Sequence, residues 1–305
     1  MVDFTKCRRI LGKAYNGANG KKIAVEYNGS QYMLKFPPSG KNKPTELSYT
    51  NSCLSEHIAS SIFNMLGISA QETMLGTFDV NGKTKIVCAC RDFTADGCQL
   101  YDFCSIKNTI IDSIHNGTGT ELSDILETIE KQQFVDPSYL LEHFWNMFVA
   151  DALLGNFDRH NGNWGFLVNP ITGLTEIAPI FDCGSCLLPQ ADESIMRSVL
   201  DQEDALNARI YQFPTSAIKL NDRKINYYDF LMKAEYPECN EAVCRIVPRI
   251  DMDEIVEFIE SVPYLTDLQK EFYSTYLSAR YDKIIIPVYE QIMEQSEGQI
   301  PDLSM

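Results

Sequence analysis

Asp158, Asn163 and Asp182 have the types and spacing that phosphoryl transfer from a nucleotide requires. An aspartate followed at the fifth residue by an asparagine, then by a second aspartate, supplies one carboxylate for the acceptor proton and two oxygen ligands for magnesium. Residues 163–168 read as a strand, Asn169, Pro170, Ile171, Thr172 and Gly173 as a turn, and 174–178 as an apolar return strand. Such a hairpin brings the chain back to its start, so Asn163 and Asp182 can share one magnesium ion although 19 positions separate them. Asp158 lies on the loop entering the hairpin, beside the metal-held phosphate. His160 reads either as a structural histidine or as a supporting group of this loop. The spacing to Asn163 makes Asp158, rather than His160, the base.

Upstream residues complete a nucleotide site. Asn16, Gly17, Ala18, Asn19 and Gly20 lie between two strand-like runs. Alone they are a hairpin loop rich in residues that tolerate positive φ. One strand ahead of Lys35, the same loop could cover phosphates with its backbone N–H groups while the lysine reaches the α and β phosphates. Lys35 alternates with Tyr32, Leu34 and Phe36, so it stands on the opposite face of its strand. An isolated strand lysine is ordinarily solvent-facing; the next helix, however, offers Glu56 as a carboxylate to pair with it.

These residues need a particular set of elements to position them. Runs 8–15, 21–27 and 32–36 read as strands, 52–66 as a helix closing at Gly67, and 72–80 and 84–90 as a hairpin across Asn81 and Gly82. From about residue 94 the pattern is helical, with helices expected over 101–113, 121–133, 137–154, 191–210, 227–233, 241–246, 251–261 and 267–295. The expectation is an α+β, two-lobed, protein-kinase-like fold. A small β-rich lobe spans 1–93, a larger helical lobe carrying the catalytic hairpin spans 94–305, and the cleft lies between them. Phe144, Trp145 and Phe148 precede the catalytic loop at helical spacing and read as core that holds it rigid. His57, His115 and His143 lack ligand spacing and read as structural.

The 305 residues are 45% hydrophobic and 22% charged, values of an ordinary globular protein with a sizeable core. Acidic residues outnumber basic ones by 42 to 26, a net charge of −16, which disfavours nucleic acid and anionic membranes as partners. The start has no secretory pattern and no run approaches the length of a membrane helix, so a cytoplasmic protein is expected. Ten cysteines are too dilute for a disulfide scaffold and read as reduced, buried thiols. Cys88 with Cys90 and Cys183 with Cys186 leave a zinc or redox site as the alternative.

The ordered set of glycine loop, Lys35, Glu56 between Ser55 and His57, the run from Gly155 through Asp158, Arg159 and His160 to Asn163, and Ile180-Phe181-Asp182 resembles the HipA-like serine/threonine kinases. Longer stretches around Asn19, Tyr32 to Pro38, Ser48 to Asn51, Leu153 to Phe166 and Ile177 to Cys186 resemble the cell-translocating kinase A group of that family. The resemblance implies ATP with magnesium and transfer to serine or threonine of a protein, the chain itself included. It also implies Asp158 as catalytic base and His160 in its loop, with Asn163 and Asp182 on the metal. Lys35 would contact phosphate, Glu56 would be its partner, and Gly17, Ala18, Asn19 and Gly20 would cover the nucleotide. Cys90 and Asp92 fall in the hinge, where the run Cys90 to Phe93 departs from HipA itself, which has a glutamate there. The length leaves no room for the extra amino-terminal subdomain of the longer toxins, which sets a DNA-associated toxin role aside; delivery outside the producing cell is implied only by the group resembled.

Two rival readings stand beside this one. Phosphoinositide kinases share the Asp-Arg-His-x-x-Asn pattern, but a lipid substrate calls for a basic interfacial surface at odds with the net charge of −16. A pseudokinase acting as an interaction module would ordinarily have lost one of Lys35, Glu56, Asp158, Asn163 or Asp182, and all five are present.

Overall fold

A computed structural model describes residues 2–13, 15, 21–38, 50–111 and 116–297. The expected glycine loop, with Gly17, Ala18, Asn19 and Gly20, lies outside the described residues, as does His115. The amino-terminal part contains β1 (Val2–Asp3), β2 (Arg8–Arg9), β3 (Lys22–Tyr27), β4 (Ser30–Lys35), α1 (Ser52–Met65), β5 (Thr73–Val80) and β6 (Lys83–Arg91). The strands form one sheet in the order β1-β5-β6-β4-β3-β2, antiparallel except for the β1–β5 pair. Both hairpin turns are of the Asn-Gly kind expected. Asn28 and Gly29, and Asn81 and Gly82, all have positive φ, the geometry that matches the twist of the flanking strands.

Alternation on β4 decides what each face of the sheet holds. Tyr32, Leu34 and Phe36 pack with Phe4, Val25, Phe78, Val87 and Ala89 in a small separate core. Lys35 points to the other face, paired across the ladder with Cys88. That face is covered by α1, whose Leu54, Ile58, Ala59, Ile62 and Phe63 are buried and continue into the main core. Lys35 therefore emerges between sheet and helix, where Glu56 can reach it.

The carboxy-terminal part contains β7 (Gln99–Asp102), α2 (Phe103–Ile110), α3 (Leu122–Lys131), α4 (Pro137–Leu154), β8 (Gly165–Val168), β9 (Thr175–Ile177), α5 (Glu193–Asp201), α6 (Glu203–Tyr211), β10 (Lys219–Leu220), β11 (Arg223–Lys224), α7 (Tyr227–Lys233), α8 (Pro237–Ile246), α9 (Met252–Ser261), α10 (Asp267–Arg280) and α11 (Ile286–Glu297). The expected α+β architecture, a β-rich amino-terminal part followed by a larger helical part, is what the chain adopts.

Helix α4 is the central element, and its ends coincide with those read from the sequence. Asp136 accepts hydrogen bonds from the N–H groups of Ser138 and Tyr139, Pro137 opens the first turn, and Gly155 closes the helix at φ +63°. Phe144, Trp145 and Phe148 are buried on it as expected, with Phe144 5.7 Å from Trp164, the residue after Asn163.

Several expected elements differ in extent, among them the helix read over 241–246, which starts four residues earlier at Pro237. The helix read over 101–113 begins only at Phe103, because 99–102 is claimed by the ladder with β8, and Asp102 caps the helix by accepting from the Ser105 N–H. The catalytic hairpin is thus the centre and edge of a three-stranded sheet, β7-β8-β9. The helix read over 191–210 breaks at Gln202, whose extended backbone separates α5 from α6. The long helix read over 267–295 passes through a π-turn at Tyr281–Ile285 just before Pro287, which has no N–H to give the carbonyl four residues back. The strand read over 8–15 reduces to Arg8–Arg9.

Candidate active site

Lys35 sits between two carboxylates contributed by distant parts of the chain. Its Nζ lies 2.8 Å from Glu56 Oε2 on α1 and 2.8 Å from Asp182 Oδ1 beyond β9. The lysine side chain is 12% exposed and that of Glu56 1%. Burial opposes the charge on Lys35, but Asp182 and Glu56 outweigh it and hold its pKa well above the ordinary value. Reciprocally, Lys35 pulls the Asp182 carboxyl down to about 2. Among the described residues the Glu56 oxygens have no hydrogen-bond partner besides this ion pair, so Lys35 is what holds them. Gly184 passes close by: a Cβ there would stand 3.1 Å from Glu56 Oε2.

The loop that carries Asp158 is braced from within. Asn156 Oδ1 accepts from the Asp158 N–H at 3.0 Å, and the Asp158 carbonyl accepts from the His160 N–H and from Asn163 Nδ2, each at 2.8 Å. With its amide nitrogen so engaged, Asn163 keeps its Oδ1 for another partner. Burial, reinforced by nearby Asp182 and opposed by His160, raises the pKa of Asp158. His160 is exposed at the cavity wall, and its Nδ1 accepts from the Gly162 N–H at 3.0 Å.

Arg159, which the sequence reading quoted but gave no role, fastens this loop to its surroundings. Its guanidinium forms a buried ion pair with Asp151 of α4 and donates to the carbonyls of Asn163 and Phe181. A buried arginine inside the Asp-Arg-His run was legible only as a residue type; its partner lies eight positions back on the helix.

Lys35, Asp158, His160, Asn163 and Asp182 line one cavity of about 530 Å³, floored by Met33 of β4 and by Phe93 and Phe181, whose rings lie 5.8 Å apart. Asp92 lines it too, with its carboxylate engaged by the Tyr15 hydroxyl at 2.7 Å, by Thr94 N–H and Oγ1 at 2.9 and 2.6 Å, and by an ion pair with Lys13. Burial works against the Asp92 charge, and these donors more than offset it. Lys13 and Tyr15 are site residues the sequence reading missed, because nothing in 8–15 marks them apart from strand positions. Cys90 is placed differently from the other hinge candidate. It faces α1, fully buried, with its Sγ 3.8 Å from that of Cys88, and is not among the residues lining the cavity. Cys183 and Cys186 are also fully buried, and Arg159 Nη2 approaches the Cys183 Sγ at 3.5 Å. Among the described residues no group of three or more His, Cys, Asp or Glu side chains is arranged to hold a metal ion, so the two cysteine pairs do not converge on a four-thiolate site.

The HipA-like C-terminal domain family matches residues 14–261 of this chain. The chain belongs to the HipA-like kinase family. It is 50% identical over 296 residues, 97% of its length and 90% of the relative's, to the serine/threonine-protein kinase CtkA of Helicobacter pylori strain J99. The crystal structure of a Helicobacter pylori proinflammatory kinase CtkA superposes with a TM-score of 0.89 at 49% identity, covering 96% of this chain and 99% of that one. HipA of Shewanella oneidensis MR-1, solved with HipB and operator DNA, gives a TM-score of 0.56 at 18% identity over 92% of this chain and 68% of that one. That likeness speaks for the fold alone. The kinase read from the motifs is therefore borne out by kinship, and HipA-like kinases supply the frame for the geometry above.

Proposed function

We propose that this chain transfers the γ-phosphate of ATP, with magnesium, to a serine or threonine hydroxyl of a protein, its own chain included. The observation that carries this reading is Lys35 held between Glu56 and Asp182 at a cavity that Asp158 and Asn163 also line. Such a lysine is a fixed cation aimed into the cavity, suited to α and β phosphates.

The donor set fits a hard divalent cation. Asp182 stays ionised at all physiological pH values, and Asn163 offers an uncommitted carbonyl oxygen, so these two residues would hold magnesium. When bound, the ion would neutralise charge on the phosphates. Among the described residues none donates a hydrogen bond to the Asp158 carboxylate, and its pKa is raised, which suits it to accept the proton of the acceptor hydroxyl. His160 shapes the loop beside it. The hinge would lie at residues 90–93, with the small lobe ending at 93 and the helical lobe starting at 94. There the N–H groups of Arg91 and Asp92 are bonded to the Glu72 and Gln31 carbonyls, which directs adenine contact toward Phe93. Gly17, Ala18, Asn19 and Gly20, which precede β3 in sequence, would cover the phosphates.

Incubation with γ-labelled ATP and magnesium, followed by mapping of phosphosites on the chain and on added proteins, tests the reading. Phosphoserine or phosphothreonine in the wild type and none with Asp158→Asn is the expected result. Equal incorporation by both proteins would refute it.

A further inference from the structure

The hairpin β10–β11 does not line the cavity, yet the segments on either side of it pack against the Asp158 loop. The Phe157 and Phe213 rings lie 5.6 Å apart, and the Tyr227 hydroxyl donates to the Asn156 carbonyl at 2.6 Å. From the other side, the Lys219 N–H donates to the Thr120 carbonyl at 2.8 Å, and Asn161 Nδ2 donates to the Gly117 and Gly119 carbonyls, both at 2.8 Å. Residues 156, 157 and 161 bracket Asp158. The segments before and after the hairpin are thereby anchored to the loop that presents the base, and Lys224 is near enough for its charge to act on Asp158.

This hairpin is cationic in a chain of net charge −16. Lys219 and Lys224 are directly opposed across the two strands, so both side chains leave the same face. Like charges in that position destabilise a strand pair, and nothing within the hairpin relieves them. Arg223 is exposed next to Lys224. Of the acidic residues at hand, Asp222 lies in the turn, and the Glu121 carboxylate accepts from the N–H groups of Asn221 and Asp222 at 2.6 and 3.1 Å. Among the described residues neither Lys219, Arg223 nor Lys224 forms a salt bridge.

We propose that Lys219 and Lys224 of this hairpin recognise an acidic side chain flanking the acceptor hydroxyl, so that the protein substrate is a serine or threonine set among aspartate or glutamate residues. The inference rests on the phosphotransfer reading and adds the substrate class. The charge of Lys224 reaches Asp158, so an acceptor hydroxyl at Asp158 has its flanking residues within the field of this hairpin, whose cations complement acidic neighbours and repel basic ones.

The test uses three serine peptides identical except that the flanking residues are Asp and Glu, Ala, or Lys. KM and kcat are measured with ATP and magnesium, and affinity for each peptide is measured by fluorescence anisotropy without nucleotide. Wild-type protein should favour the acidic peptide over the alanine one by about fivefold in KM per exposed pair formed, with the preference shrinking as salt is raised. Lys224→Glu should invert the order, favouring the lysine peptide, which a merely structural role would not do. Equal KM values for the three peptides, or an acidic preference that survives Lys224→Glu, would overturn the proposal. Vesicles containing phosphoinositides that bind more tightly than the acidic peptide, and lose binding in Lys224→Glu, would assign the hairpin to a membrane surface and overturn it too. Should no peptide be phosphorylated while anisotropy gives the acidic preference and its inversion, the hairpin assignment stands and the phosphotransfer reading fails.

Discussion

Arg159 and Asp151 are joined by two hydrogen bonds, Nε to Oδ2 at 3.0 Å and Nη2 to Oδ1 at 3.2 Å, in a pair whose side chains are 1% and 2% exposed. The remaining arm of the guanidinium donates to the carbonyls of Asn163 and Phe181. One side chain thus ties both feet of the catalytic hairpin, immediately beside the two proposed metal ligands, to the central helix α4. In a reaction whose catalysis is mostly positioning, this pair governs where Asn163 and Asp182 stand.

Removing one partner of such a pair leaves an uncompensated buried charge. Asp151→Ala should therefore cost about 3–5 kcal/mol, as other broken buried pairs do. Asn156 would lose the acceptor of its Nδ2 as well. Urea denaturation of the variant measures the loss; a change below about 1 kcal/mol would mean the pair is relieved by water and is not the brace described.

Glycine at the end of α4 is required twice over. Gly155 has φ +63°, and a Cβ there would lie 2.1 Å from the Tyr276 hydroxyl and 2.8 Å from Pro214 Cγ. Gly155→Ala should cost about 2–4 kcal/mol, combining left-handed strain with overpacking. Gly173, at φ +72° in the hairpin turn, has open space around it, so Gly173→Ala should cost only about 1 kcal/mol. Thermal melts of the two variants should differ clearly, and equal effects would argue against the packing around Gly155.

What could be read from residues alone follows from how local the signals are. Helix α4 announces both ends through Asp136, Pro137 and Gly155, and the Asn-Gly turns fix their hairpins, because each of these signals acts within four residues. Lys35 and Glu56 were legible as a pair because strand alternation and helix position both point into the same gap. The contributions of Arg159, Lys13 and Tyr15 were not legible, since each is defined by a partner elsewhere: Asp151 eight residues back, Asp92 more than seventy residues on. The second half of strand β7, Tyr101 and Asp102, was read as helix for the same reason, its strand character being conferred by the ladder with β8 rather than by its own residues. The break at Gln202 carries no proline or glycine, and no sequence signal marks it.

Acid should weaken the fold through His57. Burial holds this histidine down at about 4, against an ordinary value of 6.5, with its Nδ1 2.9 Å from Thr73 Oγ1. Below pH 6.5 the unfolded chain takes up a proton that the folded chain refuses until about pH 4. Stability should therefore be insensitive to this group above about pH 6.5, fall as pH drops from there, and level off below about 4. At pH 5 the loss is on the order of 2 kcal/mol. His143, lowered to about 4 by burial and by Arg159, adds to the same slope. Melting temperatures between pH 7.5 and 4.5 for wild type and His57→Gln should converge in the acid range, and parallel curves would mean His57 is protonated in the folded state.

The two carboxylates of the site should separate in a binding assay and agree in a kinase assay. Asp182 lies 2.8 Å from Lys35 and is held ionised by it, so Asp182→Asn removes an anionic ligand from a hard cation that relies on few protein oxygens. ATP affinity should then fall chiefly when magnesium is present. Among the described residues none hydrogen-bonds the Asp158 carboxylate, and Asp158→Asn preserves its shape while removing its basicity. Binding of ATP with magnesium should stay near the wild-type value while turnover drops by about 10²–10⁴, the range for a lost general base. The check is ATP titrated against both proteins with and without magnesium, alongside phosphate incorporation. If Asp158→Asn loses the magnesium-dependent binding and Asp182→Asn keeps it, the roles are reversed, and the hairpin that brings Asn163 and Asp182 together does not build the metal site.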